Sequence, residues 1–194
     1  MMTRLVEDID RLRASVEELP EPVADPTLVL VSGLPGTGKS YFCRRLAEKV
    51  PLIVLESDRL RKLLFPRPEY TKDESTRLFR AIHELLRELL GSGMSVALDA
   101  TNLEEHHRER LYHIADQLNV RLVIVHLKAP PDVVQRRLEG RTVGLDSSDH
   151  SEADWDVYRK MKPVAQPIKR NHLQVDTSKD VTPFLEKVAR LIRR

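Results

Sequence analysis

Apolar positions along this chain fall into two rhythms. Between residues 4 and 19, Leu5, Ile9, Leu12, Val16 and Leu19 recur at alternating steps of four and three, which draws one stripe along an amphipathic helix. The proline-rich stretch from Pro20 to Pro26 ends that helix, because proline cannot continue it and restricts the residue before it. From Leu28 onward, short apolar runs alternate with longer helical patterns. Strands are predicted over 28–32, 52–55, 95–99, 120–127 and 172–175, and helices near 39–49, 73–90, 103–117, 132–138, 152–161 and 183–193. Strands that are apolar nearly throughout are buried on both faces, so the expectation is a three-layer α/β fold with a five-stranded parallel sheet and right-handed crossovers. The organisation expected is an N-terminal helix over 1–19, a linker over 20–27 and one domain over 28–194. Two heptads are short for an independent coiled coil, so the stripe suits docking on its own domain better than a homodimer seam between two copies.

Composition narrows the class without choosing a function. A length of 194 residues with 41% hydrophobic content suits one well-cored unit. Runs such as 28–31 and 122–125 are far too short to span a bilayer, so neither a membrane segment nor a secretory leader is expected. Cys43 is the single cysteine, which precludes an internal disulfide, suits a reducing cytoplasmic setting and reads as a core side chain. A formal charge of +2 is too small to imply nucleic-acid binding. The histidines show no spacing that would assemble a zinc site.

The chemistry begins at Gly33-Leu34-Pro35-Gly36-Thr37-Gly38-Lys39-Ser40, which satisfies the phosphate-binding pattern G-x-x-x-x-G-K-S between a predicted strand and a predicted helix. Glycine is needed there because backbone N–H groups must turn inward toward phosphate oxygens, partly at backbone angles that a β-carbon disfavours. Lys39 then neutralises the β- and γ-phosphates, and Ser40 ligates Mg²⁺. The candidate ATP-binding set is Gly33, Gly36, Thr37, Gly38, Lys39, Ser40 and the adjoining Tyr41.

Polar residues just past each strand are the next candidates, since ligands in open α/β sheets bind outside the carboxyl ends of the strands. Asp58 and Arg61, three apart on a first helical turn, can face the same way, the acid as a general base and the arginine holding an anionic part of an acceptor. The bland reading of Asp58 is a helix cap. Asp99 follows the third strand and can order a metal's water shell, while Asn102 is expected to cap the next helix. Arg137 and Arg141 are four apart on a short helix that can form a lid over ATP, with Arg136 pointing away.

The ordered set Gly33…Lys39-Ser40, Asp58-x-x-Arg61, Asp99-x-Thr101-Asn102 and Arg137-x-x-x-Arg141 resembles the P-loop kinases that include the kinase domain of phage polynucleotide 5′-kinase and the related toxin-like kinases. The resemblance spans about residues 28–193 and implies a P-loop NTPase fold with a helical lid, ATP and Mg²⁺ as cofactors, and a phosphotransferase acting on an alcohol group. It implies Asp58 as general base, Arg61 as the contact to the acceptor's phosphate, Arg141 as the lid arginine on the donor phosphates, and Asp99 as a strand-end acid. The chain departs from that pattern in the acidic stretch after Arg141, with Asp146, Asp149, Glu152 and Asp154, which would repel a long polyanion. A small acceptor and a 5′-OH nucleic-acid acceptor therefore both stand, beside an ATP-binding switch that transfers nothing and acts through a protein partner. Trp155 and Tyr158 can stack on an acceptor but suit the core beneath the lid better. Asp176-Thr177-Ser178 suits the adenine pocket or the start of the last helix equally.

Overall fold

The computed structural model describes residues 2–16, 19–142 and 153–193. Five strands, β1 (Thr27–Ser32), β2 (Ile53–Glu56), β3 (Val96–Asp99), β4 (Arg121–Lys128) and β5 (Leu173–Asp176), form one sheet in the order β2-β3-β1-β4-β5. Every pairing is parallel. The helices are α1 (Met2–Ala14), α2 (Lys39–Ala47), α3 (Ser57–Leu64), α4 (Lys72–Gly91), α5 (Glu105–Gln117), α6 (Pro131–Thr142), α7 (Trp155–Met161) and α8 (Thr182–Ile192).

Alternation along β1 explains the layering. Leu28 and Leu30 point into the core shared by α1, α3, α4 and α5, while Val29 and Val31 point into the core shared by α2 and α8. All six residues of β1 are buried, as a central strand covered on both faces requires. Each wholly buried leucine there contributes about 1.5–3 kcal/mol. A third, smaller cluster of Val134, Leu138 and Tyr158 joins α6 to α7 near the phosphate-binding loop, and Trp155 stacks on Tyr158 with ring centroids 4.7 Å apart. Both aromatics thus pack beneath α6. Among the described residues, no helix is long and apolar enough to cross a membrane.

The predicted strands appear within a residue or so of their expected bounds, but two helical expectations change. Helix α1 stops at Ala14 rather than continuing to residue 19. Helix α3, of which the sequence showed only a first turn, runs for eight residues. The apolar stripe of α1 is spent on its own domain: Ile9 and Leu12 are buried and Leu5 and Val16 pack beside them against α3 and α4. The proline segment is held by Val23 N–H, which donates to Gly93 O at 2.8 Å.

One buried charge ties the far end of the domain together. Arg108 on α5 is 1% exposed and bonds to Glu105 Oε2 (2.7 Å), Asn102 O (2.6 Å), Gln166 O (2.9 Å) and Pro167 O (2.8 Å). It thereby anchors the strap that returns from α7 toward β5. Arg108→Met leaves the Glu105 carboxylate buried without its partner and is expected to cost about 3–5 kcal/mol, read as a lower urea midpoint; a loss below about 1 kcal/mol would contradict the anchor.

Acid sensitivity follows from His83 on α4. Burial first, then Arg110 and Arg87, lower its imidazole from 6.5 to about 4. Between those values the unfolded chain holds a proton that the folded chain does not, so this contribution is intact above pH 6.5 and is lost as pH falls toward 4. The loss from this group reaches about 3 kcal/mol at most. His126, lowered to about 4 chiefly by burial, adds in the same direction but is more exposed and so more screened. His83→Gln should flatten the acid limb of a stability–pH curve measured by urea unfolding, and an unchanged slope would contradict the assignment.

Candidate active site

The site starts where the strand order switches from one flank of β1 to the other. From β1 the chain crosses to β2 at one side of the sheet, while β4 lies on the other flank of β1, so a crevice opens at the carboxyl end of β1. The loop that fills it is pinned at its base. Gly33 N–H donates to Thr101 O at 3.1 Å, and Ser32 Oγ donates to Thr101 O (3.2 Å) and Asn102 O (3.1 Å). A β-carbon on Gly33 would sit 2.7 Å from Leu127 O, a backbone atom that cannot step aside. Gly36 and Gly38 take φ angles of +76° and +84°, in the left-handed region. Thr37 Oγ1 closes the turn onto Leu34 O at 2.7 Å, and Lys39 Nζ donates to the same carbonyl at 3.2 Å.

Gly38 caps α2 with no side-chain hydrogen bond, so the first N–H groups of the helix have no side chain of their own cap to satisfy them. Such an end attracts anions. The turn therefore fits a nucleotide triphosphate: Gly36, Gly38 and Lys39 border the cleft, and the Ser40 hydroxyl and the Asp99 carboxylate, which line it too, are oxygen donors of the kind that would suit Mg²⁺. Asp99 is 5% exposed and pairs in register with Val31 and Glu56 at the sheet end. Behind it, burial pushes the Cys43 thiol well up, with Asp99 and Glu56 adding to the effect, so that side chain stays neutral.

Two clefts open on either side of this loop and share Gly36, Gly38 and Ser40. The first, of about 380 Å³, is lined by Lys39, Ser40, Asp58, Arg61, Asp99 and Thr101, with Tyr70, Phe79, Val157 and Met161 as an apolar wall. Asp58 and Arg61, one helical turn apart on α3, both face it, and the N-cap position of α3 is Glu56, without a side-chain capping bond, rather than Asp58. Arg61 is 6% exposed. Its Nη2 donates to Ser75 Oγ at 3.2 Å, its guanidinium lies 4.9 Å from the Tyr70 ring centroid, and Nη1 stands 3.7 Å from Glu74 Oε2. Its Nε and Nη1 have no hydrogen-bond partner among the described residues.

The second cleft, of about 620 Å³, is lined by Tyr41, Arg44, Arg137, Thr177, Asp180 and Val181 among others. Arg137 braces the loop from this side, donating to Gly36 O (3.3 Å), Thr177 Oγ1 (2.9 Å) and Thr177 O (2.7 Å). Thr177 in turn donates to Thr37 O at 2.9 Å. Of the two roles open to residues 176–178, Thr177 takes that of pocket wall, since the last helix starts only at Thr182. Arg136, expected to point away, also lines this cleft; it is largely exposed and lies 3.2 Å from Asp132.

Asn102 corrects an expectation. It does not cap α5, whose N-cap is Glu104; its side-chain amide donates to Val31 O at 2.8 Å, with the backbone at φ +45°. It ties the ends of β1 and β3 together and shapes the floor under the loop. Arg108, which also holds Asn102 O, was missed because Glu105-His106-His107-Arg108-Glu109-Arg110 reads as a solvated charged helix. The side chain of Arg141, and the acidic residues Asp146, Asp149 and Glu152, lie outside the described residues.

Three comparisons bear on this geometry. An L-seryl-tRNA(Sec) kinase of Methanococcus maripaludis is 32% identical over 115 residues, covering 57% of this chain and 44% of its own. An adenylyl-sulfate kinase of Myxococcus xanthus is 27% identical over 114 residues, covering 57% of this chain and 62% of its own. The chain thus spans less than two thirds of either relative. Among solved structures, the Mycobacterium tuberculosis APS kinase CysC, bound to AMPPNP and APS, superposes with a TM-score of 0.67 at 18% identity, over 90% of this chain and all of that one (100%). That likeness shows the P-loop NTPase fold. The AAA domain model matches residues 28–168, from β1 through the anchored strap, and the chain belongs to that family.

Proposed function

We propose that the protein is an ATP-dependent kinase that moves the γ-phosphoryl group of ATP to a hydroxyl of a small anionic acceptor with an apolar body. The observation that carries this reading is Arg61, a buried guanidinium whose Nε and Nη1 have no hydrogen-bond partner among the described residues, with Nη1 in an ion pair to Glu74 at 3.7 Å, in the same cleft as Asp58, Lys39 and Ser40. Leaving such donors unpaired costs about 1–3 kcal/mol or more, so the cleft favours an incoming anion. Tyr70, Phe79, Val157 and Met161 supply an apolar surface beside it. The relatives are named for acceptors as different as a seryl-tRNA and adenylyl sulfate, so the choice of acceptor rests on the cleft. A volume of about 380 Å³ that also takes in the phosphate end of the loop leaves room for a small molecule.

The residues divide the work by position. Asp58 accepts the proton of the acceptor hydroxyl as its oxygen attacks the γ-phosphorus; the P–O bond to the β-phosphate breaks and ADP leaves. Arg61 fixes the acceptor so that the hydroxyl lies between Asp58 and the loop, which converts an encounter into an oriented attack. Lys39 neutralises the phosphate oxygens, and Arg141 on the lid is assigned to the same charge. Ser40 and Asp99 would hold Mg²⁺, which would supply further neutralisation of the phosphates. The loop glycines admit the triphosphate, and the Gly38 end of α2 adds partial positive charge.

The test is transfer from γ-labelled ATP with Mg²⁺ to a panel of nucleoside monophosphates, phosphorylated sugars, neutral sugars, nucleosides, aminoglycosides and 5′-OH oligonucleotides. Label should appear on a small anionic acceptor, Lys39→Ala should abolish it, and Asp58→Asn should lower kcat by roughly 10²–10⁴. Arg61→Ala should raise the acceptor KM by the equivalent of about 1.5–3 kcal/mol while leaving the KM for ATP in place. Label on oligonucleotides would instead make it a polynucleotide 5′-hydroxyl kinase. Label confined to neutral or cationic acceptors, or full transfer by Asp58→Asn, would contradict the proposal, and ATP loss with no acceptor would favour a nucleotide switch.

A further inference from the structure

Helix α1 lies outside residues 28–168 that match the family, yet it packs against α3 and α4, which supply Asp58, Arg61 and Phe79 to the acceptor cleft. Asp8 on α1 is a carboxylate at 2% exposure. Its two oxygens accept from Arg77 of α4 in a matched fork, Nε to Oδ2 at 2.6 Å and Nη2 to Oδ1 at 2.6 Å. The same guanidinium lies 5.0 Å from the centroid of the Phe65 ring, and Phe65 is the residue that ends α3. One arginine therefore joins α1, α3 and α4.

The opposite face of that stretch of α4 carries the acceptor side. Ser75 and Phe79 are four apart and share a face, whereas Arg77, two positions from each, points the other way. Ser75 Oγ receives a bond from Arg61, and Phe79 lines the cleft. Glu74, one turn before Arg77, accepts from the backbone N–H groups of Glu69 (3.1 Å) and Tyr70 (2.8 Å), which holds the loop between α3 and α4. On α3, Asp58 and Arg61 face the cleft while Leu60 and Leu64 face the core that also contains Ile9 and Leu12 of α1. Further along, Arg13 Nε donates to Glu88 Oε2 at 3.2 Å, a second tie between α1 and α4.

We propose that α1 is a brace for the acceptor wall, in which Asp8, acting through Arg77 and Phe65, sets α3 against α4 and so holds Asp58 and Arg61 toward the cleft. Asp8 and Arg77 are positioning residues and touch neither substrate. Asp8 is buried and its charge is met by the Arg77 fork, which specifies a single docking of α1 where apolar contacts alone would tolerate sliding. The brace acts on the acceptor half only. The phosphate-binding loop takes its supports from Thr101, Thr177 and Arg137, which lie after β3, after β5 and on α6.

This inference rests on reading the cleft as the acceptor site, but its test does not need the acceptor. Amide hydrogen exchange of the full chain, followed by mass spectrometry, compares wild type with Asp8→Asn, which keeps the shape and removes the charge. Exchange over residues 57–71 should quicken about tenfold or more, while residues 28–47 change less than twofold and affinity for a fluorescent ATP analogue is unaltered. If Asp8→Asn does not fold, Arg77→Lys, which keeps the charge and loses the fork, should show the same pattern at smaller amplitude. With any acceptor that takes label, Asp8→Asn should raise the acceptor KM and leave the KM for ATP unchanged. Equal quickening over 28–47 and 57–71 would mean that Asp8 serves global stability alone, and no change over 57–71 would mean that α1 braces nothing; either result overturns the inference. Because the exchange pattern holds or fails whether or not an acceptor is ever labelled, it fails separately from the kinase reading.

Discussion

The structure depends on one backbone constraint: the turn from the end of β1 into α2 must pass so close to its surroundings that side chains are excluded from it. Gly33 runs against Leu127 O, and Gly36 and Gly38 adopt left-handed angles before α2 begins. That passage leaves the start of α2 without a side-chain cap at the carboxyl end of the sheet, where the strand order turns from one flank of β1 to the other. Much of the surrounding hydrogen bonding serves to hold the turn. Ser32 and Asn102 fasten it to the end of β3 from below, and Thr177 and Arg137 fasten it to β5 and α6 from the side. The loop is thus preorganised before any ligand arrives, which lowers the entropic cost of ordering it around phosphates.

Two clefts with different chemistry flank the turn. The side with Tyr41, Thr177 and Asp180 is the wider, and the side with Asp58 and Arg61 pairs charge with an apolar wall. A phosphate chain lying across Gly36, Gly38 and Ser40 reaches from one to the other, which is the arrangement that transfer from a nucleotide to a second molecule requires. On the side proposed for the acceptor, α3 packs against α4 and α1.

Sequence reasoning succeeded where a signal is local and failed where a partner is distant. The phosphate-binding loop was legible because its glycines, Lys39 and Ser40 are consecutive, and the strands because double burial makes them apolar throughout. The docking of α1 was legible in its stripe, although its end at Ala14 was not, since Val16 and Leu19 continue the apolar spacing. Helix α3 was seen only as one turn because Ser57-Asp58-Arg59-Leu60-Arg61-Lys62 carries more charge than apolar face. Asn102 looked like a cap by position, and only the fold brings Val31 O within reach of its amide. Arg108 carries no local mark at all: its partners at Gln166 and Pro167 lie 58 and 59 residues away. The fork between Asp8 and Arg77 is equally silent, with 69 residues between its halves.

The most direct measurement is a crystal structure with a non-hydrolysable ATP analogue and Mg²⁺. The account predicts the triphosphate along residues 33–40, the base on the side of Tyr41, Thr177 and Asp180, and the γ-phosphate opening toward Asp58 and Arg61. A base seated in the Arg61 cleft, or a triphosphate that leaves residues 33–40 untouched, would contradict it.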